Sequence, residues 1–442
     1  MGSLLIRGGR LVTMNPGREV FDGSLYIENG VIMEVGSGRT RADEVINAQD
    51  MLVIPGMIQV HVHLCQTLMR GMADDLALLD WLEKRIWPLE AAHDPDSLYS
   101  SSLLGCAELL LAGTTAILDM GTVNHQEAVF EAAAQAGIRI VSGKCMMDMA
   151  ERAPAALLDS TEGSVRDTVR LIEKWHGREN GRIRYALAPR FVLSCTRKLL
   201  EAVRELANSY GVLIHTHAAE NRAETQLVRE MTGRGNVEYL GEIGLCGSRT
   251  VLAHCIWLSA REVDLLGATG TRVAHCPSAN LKLASGIADI VRLLEAGIPV
   301  GIGCDGPPCN NYLDMFNEMR LAALLQKPVH GPTAMPAGTV FEMATTRGAA
   351  ILGMESEIGS LEPGKKADIV VVNPVRPHSR PRMEENTYAD LVYQVKASDV
   401  RYTIVDGRVL VREGKLAILD EEDLTRQADR EARRLVARAR LA

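Results

Sequence analysis

The 442-residue chain reads as an α/β protein, a (β/α)8 TIM barrel with a small β-sandwich domain built from both chain ends. Three observations predict this. A length of 442 residues exceeds one ordinary small domain and suits a barrel of about 250 residues plus an accessory domain. Between residues 56 and 355, buried strand-like runs alternate with amphipathic helical stretches, the pattern of a parallel sheet covered by helices. At each end stand short strand-like runs divided by Gly, Asn and Asp turn signals, and neither set can bury a core alone.

In chain order, residues 1–55 hold "SLLIRGGRLVTM", "GSLYIENGVIMEVG" and "MLVIPG". The barrel segment 56–355 offers eight strand candidates: "MIQVHVHL", "TTAILDMG", "IRIVSGKCMMD", "IRYALAPR", "VLIHTHAAE", "TVLAHCIWL", "RVAHCPSAN" and "VGIGCDG". Residues 356–420 return to β-like text, "IGSLEPGKKADIVVVNP" and "VRYTIVDGRVLV", which joins the first flank in one sandwich. Residues 421–442 form a charged, alanine-rich amphipathic helix, solvated on its polar face and open to contact with another subunit.

Composition narrows the function. A hydrophobic share of 47% with 24% charged residues describes a soluble globular protein, and no run reaches the roughly 18 apolar residues of a membrane span. Arg7 and Arg10 break the first apolar run, which therefore reads as a strand rather than a signal peptide and points to a cytoplasmic protein. A net charge of −8 argues against nucleic acid, which needs a basic face. Nine cysteines without C-x-x-C spacing fit reduced thiols. The expected partner is a small molecule.

The chemistry starts at "HVH". Side chains two apart on a strand share a face, so His61 and His63 aim at one point, either as metal ligands or as a hydrogen-bonded core pair. The other strand ends decide between these. In a barrel, chemistry collects at the C-terminal ends of the strands, and there stand His215, His217 and Glu220 (strand five), His254 (six), His275 (seven) and Asp305 (eight). Neutral imidazole with carboxylate suits zinc or a similar first-row ion. His217 lies one pleat nearer the mouth than His215, which becomes a second-layer residue.

"PGMIQVHVHL", "HTHAAEN", "LAHCIWL", "VAHCPSANLKL" and "GCDGPPCNNYLDMFNEMRLAALLQK" resemble the amidohydrolase superfamily, in the aminohydrolase branch that includes adenosylhomocysteine and methylthioadenosine deaminases and the triazine hydrolases. The resemblance implies one divalent metal per chain, zinc or iron, held by His61, His63, His217 and Asp305. It also implies Glu220, His254 and Asp305 as catalytic residues: Asp305 moves the water's proton, Glu220 protonates a ring nitrogen, and His254 holds the attacking oxygen. His275 reads as structural, with Asn280 and Lys282 shaping the mouth.

The segment "LMRGMADDLALLDWLEKRIWPLE" is similar to the substrate-covering segment of the nucleoside deaminases. There Trp81 would cap an apolar surface, and Glu90, with both oxygens free, would accept from ribose hydroxyls; an amphipathic helix with Trp81 in the core and Glu90 solvated is the alternative. Arg190 stands where those enzymes usually show a histidine, either reading the 5′ end of the substrate or pairing with an acid such as Glu90. Lys144 stands near where an arginine is frequent. The resemblance thus implies hydrolytic deamination of a 5′-modified or 5′-deoxy adenosine by metal-activated hydroxide, in a homo-oligomer. A triazine hydrolase, or a catalytically inactive binding relative, is the alternative.

Overall fold

The computed structural model describes residues 2–36, 38–381 and 383–441. Eight barrel strands among them run Met57–Val62, Thr114–Asp119, Arg139–Ser142, Ile183–Pro189, Leu213–Ala218, Thr250–His254, Arg272–His275 and Val300–Ile302. Each pairs in parallel with the next, and a bridge between Val62 and Asp305 closes strand eight on strand one. All eight lie within the runs read as strands. These strands are almost wholly buried, as expected where helices cover the outside of a parallel sheet.

Strand three is broken. After Ser142 it resumes as Cys145–Met146, and a Cβ at the intervening Gly143 would lie 1.9 Å from the Ala186 carbonyl oxygen of strand four. Only glycine permits that approach. The connecting helices carry their own stop and start signals. Asp94 caps Pro95–Leu111 in a capping box, and Thr196 caps Arg197–Tyr210, which ends on Gly211 at φ +68°.

The chain ends join as expected, in one continuous sheet of nine strands among the described residues. Its order is Lys415–Leu416, Arg408–Arg412, Val400–Val405, Ile369–Val372, Leu52–Pro55, Ser3–Val12, Val20–Glu28 and Val31–Val35, with Glu44–Asn47 also on Ser3–Val12. The sheet curls until Val31 bridges Lys366, enclosing Leu11, Leu25, Ile27, Ile369 and Ile404. It is fastened to the barrel by a buried fork in which Arg139 Nε and Nη2 donate to Asp368 at 2.9 Å each.

The closing helix, Glu421–Ala439, is solvated on one face only. Ala428 and Leu435 are buried beside the 71–92 segment, and Arg438 Nε donates to the Ala92 carbonyl at 2.8 Å. No described helix is long and apolar enough to cross a membrane.

Candidate active site

Three strand ends bring four candidate ligands together. On strand one Gln59 turns outward, accepting from Cys304 N at 3.0 Å, and an irregular register between Gln59 and Val62 then turns His61 and His63 inward. His63 Nε2 lies 3.2 Å from His217 Nε2, while His61 Nε2 and His63 Nε2 are each 3.3 Å from Asp305 Oδ1. A tetrahedron with arms of about 2.05 Å has edges of about 3.3 Å, so these are the gaps expected of atoms sharing one zinc-sized ion.

The nitrogens are prepared for that task. The Arg190 carbonyl, which can only accept, lies 2.6 Å from His217 Nδ1, so Nδ1 carries the proton and Nε2 presents its lone pair to the cluster. His61 Nδ1 sits 2.8 Å from His215 Nε2, and His61 Nε2 is buried with no hydrogen-bond partner. An orphaned imidazole nitrogen is costly in a dry interior unless it ligates. Burial lowers the pKa of His61, His63, His215 and His217, keeping the imidazoles neutral. At Asp305 burial acts upward, but the close approach of His61 and the facing His63 and His254 imidazoles outweigh it and hold the carboxylate well below its ordinary range. The donor set fits a divalent ion.

Beside the cluster stand an acid and a base of unusual setting. His254 ends strand six at φ +73°, a left-handed conformation that turns its ring toward the centre, and Asp305 has φ +61°. His254 Nε2 is 3.5 Å from Glu220 Oε2 and 3.8 Å from Asp305 Oδ2, while its Nδ1 lies 2.8 Å from Asn280 Oδ1. Burial pushes the Glu220 carboxyl up to about 7, against the pull of His254 and the Ser285 hydroxyl. Burial pulls the His254 imidazole down, and the Glu220 and Asp305 carboxylates more than offset it, leaving its pKa raised. Glu220 can therefore carry a proton near neutral pH.

Leu78, Trp81, Leu82, Phe191 and Leu283 form an apolar wall over these groups. Trp81 is buried in that wall, in a helical run made of Leu78–Trp81, a wider π turn at Leu82–Ile86, and Trp87–Ala91. Arg190 also lines the cavity, and Glu90 lies behind it. The expected carboxylate with free oxygens is instead engaged: Arg190 Nη1 donates to Glu90 Oε2 at 2.5 Å and Nη2 to Oε1 at 3.2 Å, and Gln66 Nε2 donates to Oε1 at 2.8 Å. The alternative in which Arg190 pairs with Glu90 is the arrangement present.

Other residues singled out in the sequence stand apart. Lys144 is buried and donates to the Val123 carbonyl at 2.5 Å, outside the cavity. His275 is buried with both ring nitrogens unpartnered among the described residues, and burial lowers its pKa to about 3. Asn280 braces His254, and Lys282 reaches Asp74 rather than the cavity. Sequence reasoning missed Gln66, Phe191, Glu224, Leu283 and Ser285. Of these only Glu224 had a readable signal, the Asn221-x-x-Glu224 capping box, in which Glu224 also accepts from Glu220 N at 2.8 Å. A larger groove of about 1290 Å³, between the barrel and the chain-end sheet, holds none of the site residues.

The sequence profile described as the amidohydrolase family matches residues 52–410. A 5′-deoxyadenosine deaminase of Methanothermobacter thermautotrophicus is 40% identical over 436 residues, 98% of this chain and 99% of that protein. A 5-methylthioadenosine/S-adenosylhomocysteine deaminase of Desulforudis audaxviator is 40% identical over 422 residues, 94% of this chain and 95% of the other. Among solved structures, an adenosine deaminase from Xanthomonas campestris with bound zinc superposes with a TM-score of 0.92 at 31% identity, covering 98% of both chains. Fold, strand-end chemistry and these likenesses agree: the chain belongs to the amidohydrolase family.

Proposed function

We propose that this chain is a metal-dependent hydrolytic deaminase of adenine nucleosides whose 5′ hydroxyl is absent or replaced, converting the amino-bearing ring carbon to a carbonyl and releasing ammonia. The observation that carries the reading is the buried Glu220 carboxyl, 3.5 Å from His254 Nε2 and facing the same cavity as His63, His217 and Asp305 of the ligand cluster. A ring nitrogen must be protonated before the adjacent carbon accepts water, and a neutral carboxyl in a dry site suits that step. The names of the similar deaminases support the nucleoside.

In this reading His61, His63, His217 and Asp305 hold one divalent ion, zinc in preference to iron. When bound, such an ion supplies acidity, lowering the pKa of water from 15.7 towards about 7. Asp305 takes the proton of the attacking water and passes it to the departing amine. Glu220 protonates the ring nitrogen, and His254, aligned by Asn280, holds the oxygen at the tetrahedral carbon. Trp81 covers the base, while Arg190 and Glu90 act as one unit at the wall rather than as two separate readers of the substrate.

Residues 56–355 form the catalytic domain, residues 1–55 with 356–420 the accessory domain, and 421–442 the closing helix. The same reading carries a cytoplasmic homo-oligomer, which sedimentation and fractionation test. The decisive experiment is ammonia release from 5′-deoxyadenosine, methylthioadenosine, adenosine and free adenine, with the shift from adenine to hypoxanthine absorbance as the second readout. Activity on a triazine and none on any adenine nucleoside would overturn the reading.

A further inference from the structure

The cavity beneath Trp81 has about 30 Å³ of free space, enough for a water or two, whereas sites for drug-sized ligands usually offer roughly 300 Å³ or more. A nucleoside can enter only if the roof lifts, and it is enclosed only when the roof settles back onto it. That roof is the turn 71–77, exposed at Gly71, Asp74, Asp75 and Ala77 and with Gly71 and Asp75 at positive φ, and the helical run Leu78–Ala91 that follows it.

Lys282 sits where the movement would begin. It is the last residue of the helix Pro277–Lys282 that follows strand seven. Its ammonium donates to Asp74 Oδ1 of the roof at 2.5 Å, to the Pro308 carbonyl at 3.0 Å, and to Asn311 Oδ1. The last two acceptors belong to the turn that follows Asp305. An ammonium has three donors, and here each has an acceptor, one on the roof and two on the strand-eight turn.

The helix that ends in Lys282 also carries Asn280, which holds His254 Nδ1 at 2.8 Å, and the next residue, Leu283, is part of the cavity wall. One charged group therefore touches the roof and the strand-eight turn and stands on the strand-seven helix itself. The contact to Asp74 is partly exposed, at 25% and 43% for the two side chains, so it can break and reform without the cost of stripping a buried charge.

We propose that Lys282 is a positioning residue that latches the roof through Asp74 and, with the same ammonium, fixes the strand-seven helix and the strand-eight turn, so that the site is complete only when the roof is down. The proposal rests on the deaminase reading only for the choice of substrate in one arm of its test. Asp74→Asn takes the charge from the roof arm alone, leaving an amide oxygen in its place, and Lys282→Met removes all three contacts.

The metal-loaded wild type and both variants are compared by trypsin cleavage after Lys84 or Arg85 in the roof and by kinetics with 5′-deoxyadenosine. In D74N, roof cleavage and KM both rise about fivefold, the size of one partly exposed ion pair, while kcat, metal content and Tm stay near wild type. In K282M kcat falls as well. Wild-type roof cleavage in D74N, or a loss of kcat in D74N as large as in K282M, overturns the latch. Absence of turnover of 5′-deoxyadenosine by the wild type would fail the deaminase reading, and the cleavage arm would still decide the latch. Should K282M not fold, D74N alone decides, because Asp74 lies on an exposed turn.

Discussion

Arg190→Met is expected to destabilise the protein strongly. Arg190 and Glu90 are each about 5% exposed, joined at 2.5 and 3.2 Å, and Gln66 supplies one further donor at 2.8 Å. Removing the guanidinium leaves a buried carboxylate with only neutral donors, the Gln66 amide at 2.8 Å and the Cys65 thiol at 4.0 Å, among the described residues. Breaking a buried pair in this way costs about 3–5 kcal/mol. Glu90→Gln strands the guanidinium instead and should cost a similar amount.

The double variant, Arg190→Met with Glu90→Gln, leaves no uncompensated charge and should lose clearly less than the sum, with a coupling of about 2 kcal/mol or more. Urea unfolding of the metal-loaded protein, read at the midpoint with the slope held common, measures all four species. Metal content should survive in Arg190→Met, because His217 is oriented by the backbone carbonyl of residue 190 and not by its side chain. kcat/KM should fall alike for substrates that differ only at the 5′ end. Additivity within about 0.5 kcal/mol would refute the buried pair, and a KM change confined to one 5′ substituent at unchanged stability would place Arg190 on the substrate.

Three further outcomes are expected. Glu220→Gln keeps the size and part of the hydrogen bonding but cannot donate the proton, so ammonia release should fall by about 100-fold or more with metal content retained. Because the working form of Glu220 is protonated and burial raises its pKa to about 7, wild-type kcat/KM should decline as pH rises through that value, and the residual activity of E220Q should lack this decline. His215→Ala removes the partner of His61 Nδ1 at 2.8 Å and should weaken metal retention by about 10–100-fold, measured by elemental analysis after graded chelator exposure; an unchanged retention curve would deny His215 any role in orienting His61.

The sequence carried the barrel well because its signals were of the kind that sequence records. Eight apolar runs of strand length, separated by amphipathic stretches, match the eight strands; strand-end position gathered His61, His63, His215, His217, Glu220, His254, His275 and Asp305, and the family resemblance singled out from these His61, His63, His217 and Asp305, which the structure brings together. Other features depend on quantities that apolar periodicity does not encode. "IRIVSGKCMMD" reads as one strand, yet it breaks at Gly143, where a neighbouring carbonyl leaves no room for a Cβ. Simple alternation along strand six does not foresee that His254 is turned by a positive φ. The Arg190–Glu90 fork joins residues 100 positions apart, and the sequence offered it only as one of two alternatives because nothing local in either segment chooses between them. The curled single sheet likewise depends on which edges meet, whereas the turn signals gave only the strands.

The seam where strand eight meets strand one has a consequence for how the protein is made. Asp305 N donates to the His61 carbonyl at 3.0 Å, so the hydrogen bond that shuts the barrel joins two residues of the ligand cluster directly. These residues are separated by more than half the chain, and so distant a pairing forms late, after the entropy of closing the loop has been overcome. During synthesis, a chain emerging as far as strand seven would own three of the four clustered side chains and lack the carboxylate. If these four side chains hold one ion, as proposed, the full ligand set assembles only when the circle is complete, which makes tight metal uptake a reporter of barrel closure in refolding.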